Sequence, residues 1–239
     1  KILRILMVLS RFLTTEPKWI HWLLKENGQK ILRYNKKRFI YLISPPKIES
    51  NFFKDLNEVL KQKKTSFFQL RLKKNSFKKK LIIGRKIQKI CKKFKVKFII
   101  NDDVYLAKKL NADGCHLGQK DMKIKEARKL IGKKIIGITC HNSIKLAKTA
   151  IKNKADYLAF GAFNSSKTKR VKYKATISLL KKVRKVTKTQ IVAIGGINCN
   201  NYKKLLLNKA NFLAISGYIW KNKKLKPTDA MKELKWRLM

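Results

Sequence analysis

Acidic residues are scarce in this chain, 13 in 239, so about one is expected in any stretch of twenty, yet Asp102, Asp103, Asp113 and Asp121 all fall within such a stretch. Carboxylates are hard oxygen ligands, and Mg2+ is typically held by one or two of them together with substrate phosphate oxygens. Asp102, after Ile-Ile-Asn101, and Asp121, after Gly118-Gln119-Lys120, are the candidate metal ligands. Asp103 and Asp113 suit helix-start or structural roles, and for any single Asp a helix N-cap competes with a ligand role. Upstream stands Gln69-Leu70-Arg71-Leu72-Lys73. In an extended segment alternate side chains share a face, so Gln69, Arg71 and Lys73 would point together, towards a polyanion or, alternatively, outward as solvated charges. Downstream, Thr139-Cys140-His141-Asn142 carries a lone histidine suited by residue type to positioning or, alternatively, to proton transfer, and Asn164-Ser165-Ser166-Lys167-Thr168-Lys169 is rich in hydroxyls and ammonium groups suited to phosphate. Gly195-Gly196 and Ile215-Ser216-Gly217 follow, and backbone N–H groups approach an anion closely only where no side chain intervenes.

These groups need elements that bring them to one place. From Arg38 onward, short β-branched or aromatic runs alternate with longer Lys-studded segments whose apolar residues recur at helical spacing. Eight strand-like runs are predicted, at 39–44, 66–72, 96–101, 114–117, 135–139, 157–161, 191–194 and 212–216. Helical spacing is found at 52–62, 77–94, 124–130, 143–153, 177–186 and 202–208. Eight βα units predict an α/β fold of the (β/α)8 TIM-barrel type, in which sites collect at the C-terminal ends of the strands and glycines after strands seven and eight form a recurrent phosphate site. An open dinucleotide-binding sheet is disfavoured, because Ser44-Pro45-Pro46 stands where its Gly-rich turn would be. All the candidate residues then lie at strand ends.

The chain divides into an N-terminal extension, 1–37, and a barrel domain, 38–239. With Trp19, Trp22, Leu23 and Leu24 beside Lys18 and Lys25, the extension is either an amphipathic segment covering a surface or an addition of little function. Its apolar run near Ile2 is broken by Arg4 and is too short to span a bilayer, so no membrane role is expected. The net charge of +48 invites a nucleic-acid or polyanion role, but 10 of the 61 basic residues are Arg and the Lys are spread over the whole chain, as compositional drift would spread them. A binder would concentrate them on one face among aromatics. Cys91, Cys115, Cys140 and Cys199 form no C-x-x-C pair, which predicts reduced thiols and a cytoplasmic protein. A homo-oligomer is compatible with all of this.

Taken in order, Q-L-R-L-K (69–73), I-I-N-D-D (99–103), D-G-C-H-L-G-Q-K-D (113–121), I-I-G-I-T-C-H-N (135–142), A-D-Y-L-A-F-G (155–161), T-K (168–169) and V-A-I-G-G-I-N (192–198) resemble the thiamine phosphate synthase family over about residues 38–220. The resemblance implies a transferase that joins a pyrimidine diphosphate to a thiazole phosphate, releasing diphosphate, with small phosphorylated molecules as its partners. It implies that Gln69, Leu70, Arg71, Leu72, Lys73 and Asn101 hold the pyrimidine diphosphate, with Asp102 and Asp121 on Mg2+. Thr139 stands where the family usually has Ser near the pyrimidine and diphosphate, which implies a substrate-binding role, and Lys169 would grip the leaving diphosphate alongside Arg71 and Lys73. Ser166, Lys167, Thr168, Gly196, Ile215 and Ser216 would cradle the thiazole phosphate. Asn164-Ser165-Ser166 departs from the family's Pro-Thr pair, as does Ala175-Thr176 from an expected glycine. The alternatives are a thiazole tautomerase using His141, against which Asp121 and the intact Q-x-R-x-K run count, and a degenerate barrel that binds polyanions.

Overall fold

The computed structural model describes residues 38–165 and 172–235; the expected extension 1–37 and the expected ligand-binding residues Ser166, Lys167, Thr168 and Lys169 lie outside them. Eight parallel strands close into a barrel in sequence order: β1 (Ile40–Ile43), β2 (Thr65–Leu70), β3 (Lys97–Asn101), β4 (Gly114–Leu117), β5 (Ile135–His141), β6 (Tyr157–Gly161), β7 (Gln190–Ile194) and β8 (Phe212–Ile215). The helices are α1 (Phe52–Lys61), α2 (Phe77–Lys93), α3 (Val104–Lys109), α4 (Ile124–Ile131), α5 (Ile144–Lys152), α6 (Ile177–Val186), α7 (Tyr202–Leu207), α8 (Gly217–Trp220) and α9 (Pro227–Glu233). The TIM barrel expected from the βα alternation is therefore present. α3, α8 and α9, of four to seven residues, were not among the expected helices.

Strand alternation sorts the buried side chains into two layers. One set, including Leu42, Phe68, Leu70, Ile100, Cys115, Leu158, Phe160 and Ile215, packs with helix residues such as Leu56, Ile87, Ala127 and Leu180 in a continuous apolar shell. The alternate set fills the lumen, where the rings of Tyr41, Phe67, Tyr157 and Phe212 meet at centroid distances of 5.0 to 6.0 Å. Gly137 makes room for this cluster: a Cβ there would lie 1.8 Å from Cζ of Tyr157.

The N-terminal end of the barrel repeats one device three times. Asp113, Asp156 and Asn211, each just ahead of β4, β6 or β8, bond a residue near the start of the preceding strand through both side chain and backbone. Their side-chain oxygens accept from the amides of Phe98, Ile136 and Ile191 at 2.9, 2.8 and 2.9 Å, and their own amides donate to those residues' carbonyls at 2.9, 2.8 and 2.9 Å. Lys97, Arg128 and Arg184 donate to the same side chains at 2.8, 2.8 and 2.6 Å. A buried alanine precedes each (Ala112, Ala155, Ala210), and before it comes a left-handed residue, Asn111, Lys154 or Lys209, with φ of 48°, 61° and 77°. The local pattern, a left-handed residue, then Ala, then Asp or Asn, turns the chain from helix to strand while capping the barrel's lower rim. The structural role expected of Asp113 is met here.

Candidate active site at the C-terminal mouth

β2 ends at Leu70, two residues short of its apolar-polar run, so the strand pleat does not orient Arg71 and Lys73. Tertiary bonds act instead: the Arg71 amide donates to Ser44 Oγ at 2.9 Å, and the Lys73 ammonium pairs with Asp102 at 2.9 Å. Gln69 is buried in the lumen, and Leu72 and Leu70 point into the helix-side shell, so any contact these two leucines make with a ligand runs through their backbone. The same holds for Ile215.

Asn101 closes β3, and the residue after it, Asp102, takes a left-handed conformation with φ of 64°. Such a backbone is uncommon away from glycine and is held only where the surroundings over-determine it. Here the Asp102 amide donates to the carbonyl of His116 on β4 at 2.8 Å. Asp103 behaves as expected of a helix-start residue: its carboxylate accepts from the Leu106 amide at 2.9 Å and pairs with Lys80 at 2.6 Å. Asp121 is placed by the turn after β4, its carboxylate accepting from the Gly118 amide at 2.6 Å.

Asp102 and Asp121 come together close enough for a hydrogen bond between their carboxyl groups. Burial raises both, but for Asp102 the Lys73 ammonium outweighs it and the carboxyl sits below its ordinary value. Asp121 is pushed up, by burial first and then by the neighbouring Asp102 carboxylate. Two carboxylates so placed repel unless a proton or a cation lies between them. An oxygen-only donor pair on adjacent strand ends, open towards the mouth, fits Mg2+. Among the described residues no third His, Cys, Asp or Glu joins them, which leaves the remaining coordination positions to water and substrate oxygens, as Mg2+ commonly requires.

The lumen below the mouth carries a polar chain. Gln69 Nε2 donates to the Tyr41 hydroxyl at 3.1 Å, the Tyr41 and Tyr157 hydroxyls lie 2.7 Å apart, and His116 bridges Tyr157 through Nδ1 and Thr139 Oγ1 through Nε2, both at 2.9 Å. The Gln119 amide caps the end by donating to the Thr139 carbonyl. Burial pushes the His116 imidazole down to about 4, with Arg71 lowering it further and Asp102 opposing, so the ring is neutral at physiological pH. Burial likewise raises both phenols, which stay protonated. Sequence reading missed Tyr41, Tyr157 and His116; alternation from Gly114 through His116 on β4, and from Tyr157 through Ala159 on β6, places them on the lumen side.

His141 ends β5 with φ of 53° and its ring stacks on Tyr173, centroids 4.3 Å apart. On the far side of the mouth, Gly195 and Gly196 have φ of 110° and 56°. A Cβ on Gly196 would lie 2.1 Å from the Ser165 carbonyl, so the loop after β6 rests directly on this glycine. Asn164, in the run that departs from the expected Pro-Thr pair, donates its backbone amide to the Gly195 carbonyl at 3.2 Å, tying the loop after β6 to the end of β7. Ser216 donates its hydroxyl to the Ser44 carbonyl at 3.1 Å, joining the β8 end to β1 just ahead of the short helix α8.

The matching family model, described as thiamine monophosphate synthase, covers residues 40–219. A relative from Pelagibacter ubique named thiamine-phosphate synthase is 66% identical over 207 residues, 85% of this chain and 100% of that protein. One of the same name from Erythrobacter litoralis is 40% identical over 76% of this chain and 87% of its own length. Among solved structures, thiamine phosphate pyrophosphorylase from Pyrococcus furiosus superposes with a TM-score of 0.74 at 26% identity, covering 84% of this chain and 95% of that one. With a motif order that matches from β2 through β7 and a family model that spans the whole barrel, this chain belongs to the thiamine monophosphate synthase family.

Proposed function

We propose that the mouth of this barrel condenses 4-amino-5-hydroxymethyl-2-methylpyrimidine diphosphate with thiazole phosphate to give thiamine phosphate and diphosphate. The observation that carries the reading is the Asp102–Asp121 carboxylate pair with Lys73 and Arg71 beside it, at neighbouring strand ends. In the reaction, the bond from the pyrimidinylmethyl carbon to diphosphate oxygen breaks and a bond to the thiazole nitrogen forms. No proton need move in this step.

The chain's work is electrostatic and positional. Arg71, Lys73 and Lys169 receive the departing diphosphate; Gln69 and Asn101, with the backbone at Leu70 and Leu72, seat the pyrimidine. Asp102 and Asp121 would hold Mg2+, which when bound neutralises diphosphate charge. At the opposite rim, the backbone of Gly196 and Ile215 together with Ser166, Lys167, Thr168 and Ser216 would hold the thiazole phosphate, in the position after strands seven and eight where such barrels recurrently bind phosphate.

Residues 38–239 would form the catalytic domain, with 1–37 dispensable to it. Free thiols at Cys91, Cys115, Cys140 and Cys199 support a reducing compartment such as the cytoplasm, and among the described residues no helix is long and apolar enough to cross a membrane. The deciding assay supplies both phosphorylated substrates with Mg2+ and follows thiamine phosphate and diphosphate. Lys169→Ala should cut the rate on the order of 100-fold or more, with His141→Ala milder. A dead His141 variant beside a near-normal Lys169 variant would instead support proton-shuttling tautomerase chemistry.

A further inference from the structure

A single assignment of hydrogens, starting from the Gln69 amide, uses every donor in the polar chain of the lumen. Gln69 donates its amide hydrogen to Tyr41, so the Tyr41 hydroxyl hydrogen is left to point along the 2.7 Å contact at Tyr157. The Tyr157 oxygen is thereby an acceptor there, and its own hydrogen goes to its other partner, His116 Nδ1, 2.9 Å away. A neutral imidazole that accepts at Nδ1 carries its hydrogen on Nε2, and Nε2 faces Thr139 Oγ1 at 2.9 Å. Thr139 Oγ1 accepts that hydrogen, which leaves the threonine hydroxyl hydrogen to reach a group beyond the chain. Gln69 is buried while Thr139 is partly exposed at the mouth, so the open end of the relay is the end that meets solvent or ligand.

We infer that His116, held as the Nε2–H tautomer by the Gln69–Tyr41–Tyr157 relay, is a positioning residue that turns the Thr139 hydroxyl hydrogen outward, so that the hydroxyl which the resemblance sets near the pyrimidine diphosphate meets that ligand as a donor. The inference rests on the synthase reading for the identity of the ligand, but not for the direction of the relay. A hydroxyl whose lone pair is already engaged is oriented before the ligand arrives, and a preorganised donor costs no reorientation when charge develops on the leaving group. The lumen is shaped for this arrangement: the His116 and Tyr157 rings lie nearly parallel, 11° apart with centroids at 5.6 Å, in the slot that Gly137 leaves open. Buried polar chains of this kind are costly when one member is missing, so a role in packing alone would be served more simply by apolar side chains such as Phe67 and Phe212 beside them.

The test uses the full-length chain. With three histidines in the chain, 15N-labelled protein carrying His21→Gln and His141→Gln reports on His116 alone, and at pH 8 its Nδ1 should appear unprotonated and its Nε2 protonated. The opposite tautomer would overturn the inference, whether or not the protein makes thiamine phosphate. In turnover assays Thr139→Ser should stay within about threefold of the parent, whereas Thr139→Val and Tyr157→Phe should each lower kcat about tenfold or more with KM for the thiazole substrate unchanged. Tyr157→Phe should also let the His116 resonances shift towards a mixture of tautomers. Parent-level kcat in both Thr139→Val and Tyr157→Phe would sink the relay while leaving the synthase reading intact; a parent protein without synthase activity would sink that reading, and the tautomer measurement would still decide the relay.

Discussion

The two ends of this barrel are built on opposite plans. At the N-terminal end Asp113, Asp156 and Asn211 repeat one reciprocal bond pattern three times, each with a basic partner and a left-handed residue two positions earlier. At the C-terminal end the strands lead to different groups: β2 to Arg71 and Lys73, β3 to a left-handed Asp102, β5 to a left-handed His141 and β7 to a glycine pair. A rim that only holds strands in register can reuse one solution, because the backbone it must satisfy is the same at every strand. A rim that performs chemistry must set different groups around one ligand, and it accepts local costs to do so: a strained Asp102, a repelling carboxylate pair, a polar chain in the lumen.

If this division is real, substitutions at the two ends should separate activity from stability. The largest effect is expected at the top. Asp102→Asn and Asp121→Asn should each cut turnover by on the order of 100-fold or more at low Mg2+ without lowering the thermal midpoint, since neither side chain belongs to the apolar shell. Full activity in either variant would count against the metal assignment. At the bottom, Asp156→Ala should reverse the pattern. It strands the Ile136 amide and releases Arg128, costing about 2 kcal/mol of stability and several degrees of melting temperature while kcat stays near the parent's. A large kcat loss at unchanged stability would erase the distinction between the ends.

Two smaller effects sharpen the comparison. Asn211 is the neutral member of the lower rim, facing Arg184 at 2.6 Å. Asn211→Asp should convert that contact into a charge-assisted pair and raise stability by about 0.5 to 1 kcal/mol in urea titrations at neutral pH. The last prediction concerns Asp121, whose carboxyl is raised in the folded chain. A raised carboxyl favours the folded state fully only below the unfolded-state value, and that contribution disappears as pH climbs through the folded-state value. In metal-free protein at neutral pH the ionised Asp121 is thus a burden, and Asp121→Asn should raise the melting temperature slightly although it removes activity. The gain should shrink as the pH is lowered towards 4. Lower stability of metal-free Asp121→Asn at neutral pH would show that the carboxylate pair is not strained.

Most of the strand ends were readable in one dimension, because period-two alternation and the breaks around it are local properties of consecutive residues. The cluster of four Asp residues stood out by composition, and Asp103 was separable within it because a helix start has a local signature, here its carboxylate on the Leu106 amide. Other features were not readable. Lys73 was assigned to the anion-facing side by extending the strand to Leu72, whereas β2 stops at Leu70 and the lysine, its side chain largely exposed, is held beside the site by its pairing with Asp102. The lower-rim repeat escaped notice because its three copies share only an alanine and an Asp or Asn.

What the amino-acid sequence determined by itself is the alternation of eight strands with helices, the layer in which each strand residue would lie, and the set of polar groups available at the strand ends. The tertiary structure alone decided which of those groups touch. Barrel closure brings β1 to β8 and carries Tyr41 to within 2.7 Å of Tyr157, 116 positions later, and strand stagger sets Asp102 against Asp121. Contacts of that kind depend on shear and register, which are properties of the closed sheet as a whole and have no counterpart in the spacing of residues along any one strand.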